Sequence, residues 1–323
     1  MAVLIYAENW EGKFKKLTFE LASYGAQLAS MIQTQLVAVS IGEVADEELL
    51  KLGNYGVSKV ISLNHPQIQS FDSRQITRAI AQVAEQVEAV ALVLAANNSG
   101  RALAPRLAVR LKAGIASGVN QLPTSISPFV VSKKVFSGGA FASLTFDTRV
   151  KILTLLQNSM ELNEQIVSCT IERFEPTLDG GLTSPKVLES HKHAGKILLS
   201  DAEIVVSGGR GMKSADNWAP LLELAELLNA ATACSRPISD EGWRPHDEHT
   251  GQTGKIIAPN LYIAIGISGA TQHIAGVSSS KCIVAINNDK SAPIFESAQY
   301  GIVGDATKVL PKLIDALKVI KNK

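Results

Sequence analysis

Cysteine is scarce in this chain of 323 residues: there are three, Cys169, Cys234 and Cys282, far apart and without a CxxC pair. That spacing excludes a disulfide scaffold and a cysteine-based zinc site, and it leads to the expectation of reduced thiols in a bacterial cytoplasm. Net charge is nearly absent as well. With 31 basic against 30 acidic residues the balance is +1, so no overall field draws nucleic acid or an anionic membrane. Aromatic residues make up 5%, and Trp10, Trp218 and Trp243 stand apart, which leaves no stacking platform for single-stranded nucleic acid. No apolar run reaches membrane-spanning length. The opening residues 1–6 are too few for a span, lack a basic leader and run into Ala7-Glu8-Asn9, so they read as a first strand rather than a signal peptide, and no membrane insertion is expected. Also missing are a P-loop lysine motif, a nucleophile elbow with ordered Ser, Asp and His, and paired carboxylates in a cleft pattern. A self-contained hydrolase is therefore not expected.

The length leaves room for two domains, each able to bury a core of its own. Over the first half, short apolar runs at 3–6, 36–41, 59–63 and 89–95 alternate with segments of helical period at 14–33, 72–86 and 101–111. This is the pattern of βαβ units around a parallel sheet buried on both faces. From Phe129 it changes to runs at 130–136, 141–146 and 150–156, separated by Gly-Gly and Asp-Thr-Arg turns, which reads as an antiparallel meander. A polar, turn-rich stretch from Glu175 to Gly195 then separates the two halves. Beyond it, strands at 203–207, 261–267 and 281–287, with helices at 218–231, about 272–275, 291–299 and 306–321, describe a second, smaller doubly wound α/β domain.

Three turns after such elements carry the candidate chemistry. Strand 261–267 runs into Ser268-Gly269-Ala270 and a polar helix start, an arrangement whose free N–H groups face an anion such as a pyrophosphate. Gly208-Gly209-Arg210-Gly211 follows an apolar strand, and Ser235-Arg236 follows a long amphipathic helix. Any tight strand-to-helix turn also favours Gly and Ser, and Gly-Gly-Arg-Gly is not a GxGxxG fingerprint. His246, Asp247, Glu248 and His249 lack the i, i+2 or i, i+4 spacing of metal ligands, since consecutive side chains splay apart, and no metal site is expected there. His191 and His193 read as solvated linker residues, and Cys234 reads as a small buried hydrophobe.

Taken together, Gly208 to Gly211, Ser235-Arg236, Gly251-Gln252-Thr253-Gly254-Lys255, Leu261 to Gly276 and Val284-Ala285-Ile286-Asn287 resemble the alpha subunit of electron-transfer flavoprotein. The resemblance continues through Ala292-Pro293-Ile294-Phe295 and Tyr300 to Asp305, and more loosely through Gly100 to Ala108 and Phe136 to Ala140. It implies an α/β fold of two doubly wound domains, an N-terminal nucleotide-hydrolase-like α/β domain with an antiparallel addition and a C-terminal FAD-binding α/β domain. The expected boundaries are 1–190, packing on a beta subunit, a linker at 191–200, and 201–323.

The implied cofactor is FAD, lying extended across the C-terminal domain. Its isoalloxazine ring is expected near Ser235, Arg236, Thr250, Gly251, Gln252 and Thr253, with Thr253 toward N5. Reduction puts negative charge on the N1–O2 side, which a permanently charged Arg236 would stabilise. His273, near a helix start, is expected as a neutral donor toward O2 or the ribityl chain. Ser268, Gly269, Ala270, Thr271 and Gln272 are expected around the diphosphate and ribityl chain, although Thr271 stands where an apolar residue is usual, and Arg210 is expected either to pair with a phosphate or to cover the adenosine portion. Asn287, Asp305 and Ala306 are expected at the adenosine end. The implied function is electron shuttling by a heterodimer with the beta subunit. Donors would be flavin dehydrogenases such as the acyl-CoA dehydrogenases of fatty acid beta-oxidation, and the acceptor a quinone oxidoreductase or another carrier. Two alternatives stand beside it: a subunit of an electron-bifurcating, NADH-dependent complex, and an NAD- or AMP-binding module with no redox role.

Overall fold

The computed structural model describes residues 1–68, 71–178, 187–189 and 197–321, so most of the expected linker at 191–200 lies outside them. The described chain divides into two compact units. The first takes residues 1–134 and resumes at Phe141; the second takes Val135–Ala140 and the C-terminal part.

The first unit begins with β1 (Ala2–Tyr6), a hairpin of β2 (Asn9–Trp10) and β3 (Lys13–Phe14), and α1 (Lys16–Met31). It continues through β4 (Gln35–Ile41), α2 (Asp46–Leu50), β5 (Lys59–Leu63), α3 (Ser73–Gln86), β6 (Ala89–Ala95) and α4 (Asn98–Arg110). β7 (Gly114–Val119), β8 (Ser125–Ile126), β9 (Phe129–Val135), β10 (Ala140–Phe146), β11 (Lys151–Leu155) and β12 (Thr170–Arg173) follow. Seven strands form one sheet in the order β12-β5-β4-β1-β6-β11-β7, and each neighbouring pair is parallel. Strand alternation divides the apolar side chains between the faces. Val3 and Ile5 enter one core, while Ala2, Leu4 and Tyr6 enter the other. All five residues of β1 are buried, and each fully buried Leu, Ile or Val contributes about 1.5–3 kcal/mol of transfer free energy.

The expected meander is corrected here. β8, β9 and β10 form a separate three-stranded sheet, but β11 leaves it and enters the large sheet between β6 and β7. The turn chemistry at Asp147-Thr148-Arg149 reads locally as a hairpin. Burial decides otherwise, because Ile152 to Leu155 are fully or almost fully buried and find apolar neighbours on both faces only inside the large sheet.

In the second unit, β13 (Ile204–Gly208), α5 (Ala219–Leu228), β14 (Ala231–Cys234), α6 (Arg236–Asp240) and β15 (Leu261–Ile265) precede α7 (Thr271–Val277). β16 (Cys282–Asn287), α8 (Ile294–Ser297), β17 (Tyr300–Val303) and α9 (Ala306–Lys321) complete it. The sheet order is β14-β13-β15-β16-β17, parallel throughout. The helix expected at 218–231 stops at Leu228 because Asn229 takes the left-handed conformation (φ 51°, ψ 47°) that ends a helix. The chain then forms β14, which composition alone did not reveal.

Each parallel sheet has a switch point beside its first strand, where the strand order reverses. In the first unit the chain winds β1-β4-β5 to one side and then places β6 on the other side of β1. In the second it places β14 on one side of β13 and β15 on the other. At such switch points the loops leaving the carboxyl ends of two adjacent strands diverge and leave a crevice.

Candidate functional site

At the switch point of the second unit the loops after β13 and β15 meet backbone to backbone. Gly209 N donates to the Ile265 carbonyl and Gly211 N to the Gly266 carbonyl, both at 2.9 Å. A Cβ on Gly211 would lie 2.5 Å from Gly266 Cα, and one on Gly209 would lie 2.4 Å from Gly266 O. Only glycine permits this approach, which holds the two loops close at the crevice.

Two further loops join them at the same edge of the sheet. Ser235 and Arg236 follow β14 rather than a helix, correcting the expectation from sequence, with Ser235 at the start of α6. The Cys234 carbonyl accepts from Thr250 N at 3.0 Å and from Thr250 Oγ1 at 3.3 Å, drawing the 250 segment against the end of β14. That segment is a tight loop: Lys255 N donates to the His249 carbonyl at 2.8 Å and Gly251 N to the Lys255 carbonyl at 3.2 Å. It docks on α7, where Gln252 N donates to the Gln272 carbonyl at 2.7 Å and a Cβ on Gly276 would fall 2.5 Å from Gly251 Cα. The expected residues from Arg210 to His273 thus come from four segments of the chain, and Asn287, Asp305 and Ala306 from two more, at the ends of β16 and β17.

Their side chains divide into two groups. Arg210, Arg236, Gln252, Thr253, Ser268, Thr271 and Gln272 are exposed. Arg236 Nε lies 3.2 Å from Asp240 Oδ2 in a solvent-exposed i, i+4 pair, an arrangement that leaves the guanidinium movable. Thr250, His273 and Asn287 are buried and committed to the protein. Asn287 Nδ2 donates to the Ile267 carbonyl at 2.9 Å while its Oδ1 accepts from Asp289 N at 2.9 Å, so it shapes the turn that carries Ser268. Asp305 starts α9 and accepts from Thr307 N at 2.9 Å, and Ala306 beneath it is buried.

Sequence reasoning passed over several residues that build the site. Lys213, in the loop after β13, places Nζ 2.6 Å from Asp305 Oδ2 and holds that carboxyl below the ordinary carboxylate range. It does so at φ +71°, ψ −36°, with Ser214 N donating to the Met212 carbonyl at 2.9 Å, a strained γ-turn rarely adopted by a residue with a side chain. Arg244 forms a two-pronged pair with Glu248, at 2.7 and 2.6 Å, which fixes the excursion between α6 and Thr250. Tyr262 is wholly buried and its hydroxyl lies 2.8 Å from His273 Nε2. The signal for Lys213 and Arg244 was lost among surface charges, and Tyr262 was hidden by its place in an apolar strand.

Burial dominates the electrostatics beneath the loops. It pushes the His273 imidazole down to about 4, with His249 acting in the same direction. His249 is lowered likewise, by burial first and then by His246 and Arg236. The Cys234 thiol is pushed up to about 12, again chiefly by burial, which leaves it protonated and unreactive. Among the described residues no group of three or more His, Cys, Asp or Glu is placed to hold a metal. Glu248 is spent on Arg244, and His246 Nδ1 lies 2.9 Å from Ser239 Oγ. A crevice of 620 Å³ in the first unit, lined by Lys13, Asp46 and Arg173 among others, carries less weight. It is not at a switch point, and its charges are paired within the unit, Arg173 with Asp46 and Lys13 with Glu48.

The donors left exposed around a glycine-lined crevice suit an extended ligand with a central anion, and the comparisons with known proteins agree. Residues 198–278 match the family model described as the electron transfer flavoprotein FAD-binding domain, and residues 3–179 match the electron transfer flavoprotein domain. The chain belongs to the electron transfer flavoprotein alpha-subunit family. Among its relatives, the electron transfer flavoprotein subunit alpha of Bacillus subtilis (strain 168) is 34% identical, with 98% of this chain and 97% of that protein covered. Protein FixB of Clostridium saccharobutylicum is also 34% identical, covering 98% and 96%. The acryloyl-CoA reductase electron transfer subunit beta of Anaerotignum propionicum is 33% identical, covering 99% and 96%. The α/β architecture expected from the sequence is the one found, and the cofactor of this domain is FAD. No helix among the described residues is long and apolar enough to cross a membrane.

Proposed function

We propose that this chain is the FAD-holding subunit of a heterodimer with an electron-transfer flavoprotein beta subunit, and that it carries electrons from flavin dehydrogenases, such as acyl-CoA dehydrogenases, to a quinone oxidoreductase or another acceptor. The observation that carries this reading is the β13/β15 switch point, where glycines bring two backbones together, with seven exposed polar side chains on the four loops at that edge of the sheet. FAD supplies the redox chemistry, accepting and releasing electrons on its isoalloxazine ring.

The chain's own contributions are binding and electrostatics. Arg210, Ser268 and the backbone N–H groups of Gly269 to Gln272 would receive the diphosphate and ribityl chain, as charge and free amides do for phosphates elsewhere. Asp305, oriented by Lys213 and Thr307, would take ribose hydroxyls, with Ala306 beside it, while Asn287 holds the turn that carries Ser268. Ser235, Arg236 and the Thr250 to Thr253 loop would flank the redox-active ring. There Arg236 would stabilise the negative charge that reduction leaves, since a guanidinium cannot lose its proton. His273 would contribute as a neutral imidazole. A beta subunit is further supported by apolar side chains the first unit leaves in solvent, among them Phe141 at 67% and Ile126 at 44% exposure.

The test is to purify the chain with the beta subunit from its genomic neighbourhood and titrate it with dithionite under a visible spectrum. One FAD per heterodimer, reduced in one-electron steps, is the expected result. Two flavins per heterodimer would move the assignment to a bifurcating complex, and a colourless heterodimer that binds NAD or AMP would overturn it.

A further inference from the structure

Charge is unevenly spread along a chain whose balance is only +1. Between Glu88 and Asp147 there is no acidic residue, and there are six basic ones, Arg101, Arg106, Arg110, Lys112, Lys133 and Lys134. The three arginines are on α4. Leu103, Ala104, Leu107 and Ala108 recur there at helical spacing and enter the core that α4 shares with α3. The opposite side of the helix carries Arg101, Pro105, Arg106, Val109 and Arg110, all exposed, with Val109 at 82%.

Arg74, Arg173, Arg236 and Arg244 each stand within ion-pair distance of a carboxylate. Among the described residues no ion pair engages Arg101, Arg106 or Arg110. Glu8, held at the start of α4, is engaged by Asn97 and Ser99 instead. The helix dipole accounts for Arg110 in the last turn, but Arg101 ends the first turn, where the dipole disfavours a cation. Guanidinium groups around an exposed valine suit a protein-binding surface, where arginine is enriched and lysine depleted. An anionic membrane would call for a wider apolar face to insert. A patch of five residues is far smaller than an obligate interface, which fits a brief encounter. The exposed Ile126 and Phe141, which support a beta subunit, belong to another surface. Their sheet packs Phe129 and Val131 with α1 into the core on the opposite face of the large sheet.

We propose that the outward face of α4, with Val109 among Arg101, Arg106 and Arg110, is the surface on which the donor flavin dehydrogenase docks through a carboxylate-rich patch. The identity of that partner rests on the proposed function; the charge pattern does not. Each guanidinium can hold a carboxylate through two parallel hydrogen bonds and cannot lose its charge. Unpaired charges of one sign speed the encounter with a surface of the other sign, and salt screens them. An electron carrier meets many donor molecules in turn, so fast association serves it better than a long-lived complex.

The experiment is stopped-flow reduction of the FAD-loaded heterodimer by an acyl-CoA dehydrogenase of the same organism, itself reduced by its acyl-CoA substrate, over a range of ionic strength. The variant combines Arg101→Gln, Arg106→Gln and Arg110→Gln, since glutamine keeps the helix propensity of arginine. The wild-type second-order rate constant is expected to fall as salt rises. The variant should be about tenfold slower at low salt and equal to the wild type at high salt, with an unchanged flavin spectrum. If the triple variant fails to fold, Arg106→Gln and Arg110→Gln, taken singly, should each slow the low-salt reaction about twofold. Equal rates in wild type and variant at low salt overturn this inference alone. Failure of the variant to copurify with the beta subunit overturns it in favour of a subunit interface. Binding of the wild type, but not the variant, to phosphatidylserine vesicles overturns it in favour of a membrane surface. A flavin-loaded wild type that takes no electrons from the dehydrogenase defeats the proposed donor, and this inference with it.

Discussion

At the switch point of the first unit, between β1 and β6, the chain supplies its own anion. Glu8 accepts from Asn97 Nδ2 at 2.6 Å and from Ser99 Oγ at 2.5 Å, and Asn97 Oδ1 accepts from Gly100 N at 2.9 Å at the start of α4. At the switch point of the second unit, between β13 and β15, the loops read Gly209-Arg210-Gly211 and Gly266-Ile267-Ser268-Gly269, without an acidic residue. Both crevices arise from the same winding of a parallel sheet. In the first, an internal carboxylate answers donors at the helix start, where an anion is favoured. In the second, close glycine contacts keep side chains out and the donors remain available. Topology provides the crevice, and two short loops decide whether it is closed by the chain or left for a ligand.

The largest effect is expected from forcing apart the two loops that meet at the second switch point. Gly211→Val places a branched side chain where the Cβ alone would lie 2.5 Å from Gly266 Cα; bound flavin, read as the ratio of visible to ultraviolet absorbance, should be lost, with about 1–3 kcal/mol of stability from overpacking. Retained flavin would show that the two loops need not touch. Acid should act next. His273 titrates at an ordinary 6.5 once unfolded but near 4 when folded, so as pH falls the unfolded chain takes the proton first. Stability should therefore decline from about pH 6.5 down to about pH 4, by about 3 kcal/mol in all. Denaturant midpoints measured against pH should show this slope, and His273→Gln should flatten it.

Emptying the closed crevice is expected to cost somewhat less. Glu8→Ala leaves the Asn97 and Ser99 donors without their acceptor, a loss of about 2 kcal/mol for half-buried bonds to a charge. Added phosphate should raise the melting temperature of this variant more than that of the wild type. Equal responses would end the comparison between the two switch points. The smallest change in stability belongs to Arg236→Ala, because its pair with Asp240 is exposed to solvent. Its flavin potential and the yield of flavin held at the one-electron level should nonetheless fall; if neither moves, Arg236 is not the residue that stabilises reduced flavin.

Much of this was legible along the chain. The strands β1, β4, β5 and β6 and the strands β13, β15 and β16 are short apolar runs between helical segments, and their burial on both faces makes them readable. The short or exposed strands were not. β14 is four small residues, Ala231-Thr232-Ala233-Cys234, after a helix whose end depends on one left-handed asparagine. β17 is exposed at all four positions, so it has no apolar pattern to read. β11 was assigned to the wrong sheet because its turn is local while its partners, β6 and β7, begin 62 and 37 residues earlier in the chain.

The amino-acid sequence by itself determined the class of fold, the existence of two α/β units and the segments that carry the polar residues of the site. Those depend on periodicity and on turn-forming residues, which act over a few positions. Only the tertiary structure decided that Ser235, Thr250, Ser268 and His273 meet at one edge, that Lys213 reaches Asp305, and that Tyr262 lies beneath His273. Each of those contacts joins residues brought together by strand order and close glycine packing, and neither is written in the local pattern of the chain.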